Sequence, residues 1–354
     1  EAGSFSETTT LDGKAIFAIG GISGADSLDK GEQVNASYVY QMNLNTSFSG
    51  DDNLYVRLKT GDGWEGVWDH KPGTYHIDTK DNGDALNVDK IWYTFPLGEK
   101  FTATVGPKIE NYYMLAATPS VYKPGVLKGF KLGGHGAAFG ASTSTGAGLK
   151  YLADNGFGVS TTFNSKQAAG AGGLFTDEDQ SKVNTQVAYT KDNYHVSATY
   201  SIQKGWNSWS YYATDAMHNG AGETDVKASG YALRAWWRPD ETGTAVPSVS
   251  VGYDIIDFGD TRANGVEAGS GYMVGLNWAD MFQADDKIGL AIGQPMKATS
   301  GEDDPVDPFM WEAYYSFKPN DSIELRPGVF GTTDVSSATD QDLFGAVLTT
   351  TFKF

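Results

Sequence analysis

The chain has 354 residues, carries a formal net charge of -18 and contains no cysteine. The absence of cysteine excludes disulfide bonds and thiol chemistry, and the acidic balance argues against nucleic-acid binding, which needs a basic face. No apolar run reaches the length of about 18 residues that a transmembrane helix requires. Apolar residues instead recur at every second position along most of the chain, which is the period of a β-strand.

The predicted strands share one pattern, which the segment 34–48 shows most clearly. One face of it carries Val34, Ala36, Tyr38, Tyr40, Met42 and Leu44, and the other carries Asn35, Ser37, Gln41, Asn43 and Asn45. Such segments are long enough to cross a bilayer when tilted, and they predict an all-β fold, a transmembrane antiparallel β-barrel of about sixteen strands. The predicted strands are 13–22, 33–47, 53–62, 88–97, 100–108, 144–153, 156–165, 182–190, 193–203, 226–238, 246–257, 268–279, 286–294, 309–318, 321–331 and 342–354.

The connections alternate between short and long. Short turns rich in Asn, Asp, Gly and Pro follow the even-numbered strands, as at Asp154-Asn155-Gly156 and Pro319-Asn320-Asp321. Longer polar segments follow the odd-numbered strands, at 23–32, 63–87, 109–143, 166–181, 204–225, 258–267, 295–308 and 332–341. Short periplasmic turns and long extracellular loops are the layout of bacterial outer-membrane barrels, so the sequence predicts localisation in an outer membrane and contact with its lipid or lipopolysaccharide.

The two ends of the chain narrow the family. The last strand alternates up to its terminal aromatic residues, Phe352 and Phe354, and the first strand follows the run Phe5-Ser6-Glu7-Thr8-Thr9-Thr10-Leu11-Asp12-Gly13. The terminal Phe resembles the closing signal of bacterial outer-membrane barrels. The N-terminal run resembles the entry of the cyanobacterial Som-type, OprB-like porins, also called iron uptake porins.

This resemblance implies a homotrimer and passive diffusion of small hydrophilic solutes and inorganic ions. It also implies binding to peptidoglycan or another wall polymer, through an N-terminal domain that this chain lacks. Residues 1–12 are accordingly interpreted as a lead-in and as a candidate end of a periplasmic stalk, and 13–354 as the barrel. The iron uptake label depends on the resemblance alone, because no residue cluster in the sequence reads as an iron site.

The strand parity predicts which charged side chains line the pore. The predicted pore-lining residues are Arg57, Lys59, Lys108, Lys150, Arg234, Arg326, Glu312 and Glu324, with Lys90, Arg238 and Asp254 on the same face. This wall is richer in basic than in acidic residues, which predicts a lumen that favours anions or is weakly selective, because rings of charge set pore selectivity. The alternative is that these charges pair across the lumen and only stiffen it.

The connection 109–143 is long and apolar, so it should pack against something. We expect it to fold into the pore and constrict it; packing at a subunit interface is the alternative. Its candidate constriction residues are Tyr112, Tyr113, Tyr122, Lys123, Lys128 and Lys131.

The connection 63–87 carries Trp64, Trp68, Asp69, His70, Tyr75, His76 and Asp78. These residues could stack on sugars or pack over the mouth of the barrel; their spacing fits no defined metal site. No catalytic or cofactor motif is present either. Three hypotheses remain open: a passive porin, a carbohydrate-selective channel, and a structural barrel that anchors the outer membrane to the wall.

Overall fold

The computed structural model describes residues 3–4, 7–24, 33–63, 76–209, 212–220, 222–301, 306–334 and 342–354. A two-residue strand, β1 (Gly3–Ser4), pairs with the start of the next strand. Sixteen long antiparallel strands follow and close on themselves through the pairing of the last of them with the first. Their bounds are β2 Thr9–Ser23, β3 Asn35–Thr46, β4 Asn53–Gly61, β5 Asn87–Leu97, β6 Phe101–Ile109, β7 Ser144–Leu152, β8 Phe157–Ser165, β9 Ser181–Thr190, β10 Tyr194–Lys204, β11 Lys227–Trp237, β12 Ser248–Asp257, β13 Ala268–Ala279, β14 Lys287–Ser300, β15 Phe309–Asn320, β16 Ile323–Thr333 and β17 Leu343–Lys353.

The closed sheet confirms the predicted antiparallel barrel, and each predicted strand coincides with an observed one. Two boundaries differ clearly. Strand β2 begins at Thr9, so part of the expected lead-in 1–12 belongs to the barrel wall. Strand β14 continues to Ser300, past the predicted end at 294. Pro295 lacks an N–H group and lies where the pairing with β13 shifts register, which hid this extension in the sequence.

The alternation of side chains is simple along β10. Val196, Tyr200 and Ile202 point outward and are exposed, whereas Ser197 and Ser201 point inward and are buried. An apolar outer face and a polar inner face are typical of a barrel whose outside contacts lipid. Among the described residues, no helix has the length and apolar character needed to cross a membrane.

Two of the connections contain helical turns that pack inside the barrel. The segment between β6 and β7 has 3₁₀ turns at Asn111–Met114 and Lys128–Gly133. The segment between β10 and β11 contains a single α-helical turn, α1 (Asp215–His218), whose Met217 is buried against the inner face of β12 and β14. The barrel interior is therefore partly filled by its own connections.

Candidate functional site

The segment 110–143, which we call the inward loop, lies within the lumen. Its apolar side chains Val126, Leu127 and Phe130 are buried in one cluster with Met273 and Phe330 of the inner wall. The sequence expectation that this connection packs against something is met by the wall itself. The inward position is favourable because packing these side chains against the wall removes their apolar surface from the water that would otherwise surround it.

Polar side chains of the wall bind the backbone of the inward loop along its length. Gln186 of β9 accepts a hydrogen bond from the N–H of Ala117 (3.0 Å) and donates one to its carbonyl oxygen (3.2 Å). On β12, Ser250 Oγ accepts hydrogen bonds from the N–H groups of Val121 (3.1 Å) and Tyr122 (3.0 Å). These bonds satisfy backbone groups that would otherwise be buried without partners.

Glu312 of β15 is the most heavily used of these wall side chains. One carboxylate oxygen accepts hydrogen bonds from the Tyr122 hydroxyl (2.7 Å) and the N–H of Gly125 (2.8 Å). The other accepts from the N–H groups of Val126 (2.9 Å) and Leu127 (2.6 Å). Glu312 is fully buried, so its charge is compensated by four donors of the inward loop rather than by water.

Arg234 of β11 holds the next part of the inward loop. Its guanidinium donates to the carbonyl oxygens of Leu132 (2.8 Å) and Gly134 (2.7 Å), and it forms a buried ion pair with Asp254 of β12 at 2.8 Å. A buried arginine is tolerable here because its donors find carbonyl and carboxylate acceptors.

The inward loop lies so close to the wall that some wall positions have room only for glycine. A Cβ atom at Gly252 of β12 would lie 1.6 Å from the carbonyl oxygen of Gly133, and one at Gly275 of β13 would lie 2.4 Å from the ring of Tyr122. Close backbone approach is a general reason for glycine within a strand. The abundant glycines of the sequence therefore include contact points for the loop.

A second, shorter segment also enters the lumen. The N–H of Ile77 donates to the carbonyl oxygen of Val126 (2.9 Å), and Asp78 forms an ion pair with Arg326 of β16. Burial lowers the pKa of His76 to about 4. The other candidates named for this connection, Trp64, Trp68, Asp69, His70 and Tyr75, lie outside the described residues. No cluster of three or more potential metal-binding side chains occurs in the described ranges.

The inward loop leaves one side of the lumen open. Inner-face residues of β9 and β10, such as Gln186 and Ser201, are fully buried beneath the filling segments. Inner-face residues of β3 and β4, such as Asn43, Arg57 and Lys59, remain partly exposed. The accessible passage therefore lies beside these partly exposed positions of β3 and β4, whereas Ala18 and Ile22 of the neighbouring β2 are buried in the cluster with the inward loop.

Basic side chains concentrate on this passage. Cross-strand pairing places Lys14 beside Gln41 and Gln41 beside Lys59. Lys128, from the inward loop, is close enough for its charge to repel that of Lys59. Lys131 is repelled in the same way by Lys128 and Arg57. We call the following set the cationic cluster: Lys14, Arg57, Lys59, Lys90, Lys128 and Lys131.

Three carboxylates accompany the cationic cluster. Glu110 forms an ion pair with Lys90, and Asp89 lies 3.8 Å from the same ammonium group. Burial raises the pKa of Glu110, but the charges of Lys90 and Lys131 outweigh it and hold that pKa at about 2. Asp12 accepts its hydrogen bond from the Asn43 amide at 2.6 Å. The cluster therefore retains a positive excess.

The two lysines of the inward loop have lowered pKa values. Burial lowers the pKa of Lys128 to about 8, and burial also lowers the pKa of Lys131 to about 8. The ammonium group of Lys131 lies 4.3 Å from the centre of the Tyr112 ring and donates to the Tyr112 hydroxyl at 3.1 Å. Both lysines are therefore cationic at neutral pH and titrate within an accessible range.

Aromatic rings form a stack beside the cationic cluster. The ring centres of Tyr55 and Trp92 lie 4.3 Å apart, those of Trp92 and Tyr113 lie 4.7 Å apart, and those of Tyr113 and Tyr112 lie 4.8 Å apart. Tyr113 is 38% exposed. The passage thus has a rigid aromatic border in addition to its charges.

The expected pore-lining residues divide into groups that the sequence did not distinguish. Arg57, Lys59, Lys150 and Glu324 lie on the partly exposed inner wall. Arg234 and Glu312 point inward but are covered by the inward loop, and Arg326 is paired with Asp78.

The inward placement expected for Lys108 was wrong. The register shifts on both sides of β6 near its end, and Lys108 pairs with the outward-facing Ile91. Ile109 takes the buried position instead. A β-bulge inserts an extra residue and so reverses the parity beyond it.

Among the expected constriction residues, Tyr112, Tyr113, Lys128 and Lys131 lie at the passage. Tyr122 is buried against Glu312, and the exposed Lys123 lies near Asn277 on the opposite wall, where its N–H donates to the Asn277 side chain at 3.2 Å. Lys14 was not among the predicted pore-lining residues, although it lies between Gly13 and Ala15 at an inward-facing position of the first predicted strand. Nor was Lys182, which is buried and donates to the carbonyl oxygens of Ala137 and Gly140.

The chain matches the OprB family of carbohydrate-selective porins over residues 1–354. The chain belongs to this family. Porins are channels rather than enzymes, and family membership thus agrees with the lack of catalytic motifs in the sequence.

Two cyanobacterial proteins are similar in sequence. An uncharacterized protein of Nostoc sp. is 25% identical over all of this chain and 67% of its own length. An uncharacterized protein of Synechocystis sp. is 24% identical over 92% of this chain and 65% of its own length. The chain spans about two thirds of the length of these curated relatives.

Solved porin structures share the fold at low sequence identity. Pseudomonas putida OprB has a TM-score of 0.63 and 12% identity, covering 98% of this chain and 94% of its own. A loop-deletion mutant of OmpT, an outer membrane protein of Vibrio cholerae, has a TM-score of 0.62 and 12% identity, covering 98% and 99%.

Proposed function

We propose that this protein is an outer-membrane porin through which small hydrophilic solutes and inorganic ions diffuse passively. The inward loop narrows the lumen, and the passage that remains favours anions. One observation carries this proposal: the polar anchors of the loop, Gln186, Ser250 and Glu312, lie on β9, β12 and β15, whereas the cationic cluster lies where β2, β4 and β5 face the lysines of the loop. Charged groups lining a narrow pore set its ion preference.

The anion preference opposes the charge of the whole chain. The protein is acidic, with 44 Asp and Glu residues against 26 Lys and Arg residues. Two basic side chains on the passage, Lys14 and Lys59, form no ion pair among the described residues, although the charge of Asp89 acts on Lys59. The alternative of charges that pair across the lumen fits Arg234 and Arg326 but not these two lysines.

A carbohydrate-selective channel is the second candidate, and the aromatic stack favours it. Exposed tyrosine beside polar groups is a surface on which sugar rings can pack. The family description names carbohydrate selectivity. The two candidates differ in what competes inside the passage, which is an ion in the first case and a neutral sugar in the second.

The partners of the barrel are proposals as well. The exposed apolar outer face fits lipid, with Phe17, Ile19 and Leu348 among its members. Homotrimer formation follows from the resemblance to trimeric porins. Binding to a wall polymer stays a prediction, as does the structural-anchor hypothesis.

Planar-bilayer recording tests the proposal. The purified protein should give open, ohmic channels, and its reversal potential in a potassium chloride gradient should indicate anion preference. Reversal at the potassium potential would contradict the anion preference, and a barrel that never conducts would favour the structural anchor. Block by neutral sugars at unchanged ion preference would favour the carbohydrate channel.

A further inference from the structure

We propose that the cationic cluster is a saturable binding site for an oxyanion with two negative charges, specifically for the phosphate group. The inference rests on the proposed anion passage and deepens it by naming the chemical class that the passage retains. The arrangement of Arg57, Lys59 and their neighbours supports such a site.

Positive charges from three separate elements converge at the cationic cluster. Lys14 comes from β2, Arg57 and Lys59 come from β4, and Lys128 comes from the inward loop, so four positive charges approach one space from three directions. Three carboxylates offset part of this charge and leave a positive excess: Glu110 pairs with Lys90, Asp89 lies 3.8 Å from Lys90 and also acts on Lys59, and Asp12 accepts from Asn43. A doubly charged ligand gains more from this excess than chloride does.

The side chain of Arg57 is held in place by its neighbours. Its Nε donates to the side-chain oxygen of Asn43 at 3.0 Å, and that oxygen also accepts from the Tyr55 hydroxyl at 2.8 Å. The guanidinium lies 5.5 Å from the centre of the Tyr55 ring. A fixed, planar guanidinium suits oxyanions because it presents several N–H donors in one plane, whereas chloride offers no such geometry.

Neighbouring lysines offer a route by which a bound anion can leave the cluster. Pairing along neighbouring strands places Lys353 of β17, whose ammonium group is ion-paired with Glu324 at 3.2 Å, beside Lys14, and Lys14 two strands from Lys59. Neighbouring strands are about 4.8 Å apart, so this row of lysines offers successive positions toward the short-turn end of the barrel. Conduction requires a site strong enough to admit the ion and neighbours that let it leave.

Isothermal titration calorimetry of the full chain in detergent, with inorganic phosphate as the titrant, tests the site without relying on conductance. We expect saturable binding at low ionic strength, weakened about tenfold by Lys59→Gln. The matched control is Lys227→Gln, which removes the same charge from an exposed position on β11 and should leave the affinity unchanged. Lys14→Gln is a second variant in case Lys59→Gln fails to fold, and it should also weaken binding.

Absence of saturable phosphate binding by the wild-type protein would overturn the inference. An equal loss of affinity in Lys59→Gln and Lys227→Gln would overturn it too, because the effect would then reflect overall charge. Channels that prefer chloride over potassium but bind no phosphate would leave the proposed function intact, which separates the two failures.

Competition identifies the source of the phosphate group. Glucose 6-phosphate should displace inorganic phosphate, and glucose at the same concentration should not. Displacement by glucose alone would overturn the proposal, because the site would then recognise the sugar ring rather than the charge.

Discussion

Glu312 of β15 and Tyr122 of the inward loop are 190 residues apart in the chain, yet the carboxylate accepts a hydrogen bond from the hydroxyl at 2.7 Å. The same carboxylate binds three consecutive backbone N–H groups of the loop, from Gly125 to Leu127. One wall side chain thus fixes the position of this part of the inward loop.

Substitution Glu312→Ala should therefore release this part of the inward loop. It leaves three buried N–H groups without acceptors, which should cost roughly 3 kcal/mol or more in the free energy that holds the loop in place. We expect a larger and noisier single-channel conductance. The control Tyr122→Phe removes one of four hydrogen bonds and should change conductance little. Equal, quiet conductance in wild type and Glu312→Ala would show that the loop is held by other contacts.

Breaking the buried pair of Arg234 and Asp254 should destabilise the barrel. Asp254→Ala leaves the guanidinium buried without its carboxylate, and losses of about 3–5 kcal/mol are typical of such changes. We expect a clearly lower Tm in detergent. The double variant Arg234→Met, Asp254→Ala should recover part of the loss, because no unpaired charge remains. A double variant as unstable as the single one would contradict this reading.

The anion preference should fall at alkaline pH. Lys128 and Lys131, both with pKa values of about 8 because of burial, carry charge below that pH and lose it as the pH rises through it. Glu110, with a pKa of about 2, stays ionised throughout. The permeability ratio of chloride to potassium, from reversal potentials, should therefore be higher at about pH 6.5 than at about pH 9.5. The variant Lys128→Met, Lys131→Met should show a flatter profile, and a wild-type ratio independent of pH would refute the assignment.

Lys108 and Arg57 provide a test of the register. Lys108 faces outward beyond the bulge in β6 and Arg57 faces the passage. Arg57→Gln should reduce the anion preference, while Lys108→Gln should leave the reversal potential unchanged. A shift of equal size in Lys108→Gln would place that lysine at the pore after all.

The strands were predictable because each repeats the same alternation, which a closed barrel requires on all sides. The inward position of the loop was predictable for a similar reason, since Leu127 and Phe130 needed cover. What the sequence could not show is which inward charges the loop covers. Arg57 and Arg234 both point toward the lumen. Only the path of the loop leaves Arg57 accessible and makes Arg234 a buried anchor.

Lys108 shows a second limit of sequence reasoning. Parity counts are valid only while the pairing is regular, and one extra residue between Gly106 and Ile109 moves the lysine to the other face. The ion pair of Asp78 with Arg326 shows a third, because it joins residues 248 positions apart through a connection whose course no local pattern predicts.

The asymmetric filling of the lumen has a consequence for how such a channel can diversify. Inner-face positions of β8 to β13 are committed to holding the inward loop, so a replacement there alters folding first. Inner-face positions of β2 to β5 are less uniform: Ala18, Ile22 and Lys90 contact the inward loop. Asn43, Arg57 and Lys59 stay partly exposed, so these positions can be exchanged with less disturbance of the scaffold. Descendants of one ancestral barrel could thus acquire different solute preferences through changes at a few partly exposed positions of β3 and β4, while the rest of the wall keeps the architecture constant.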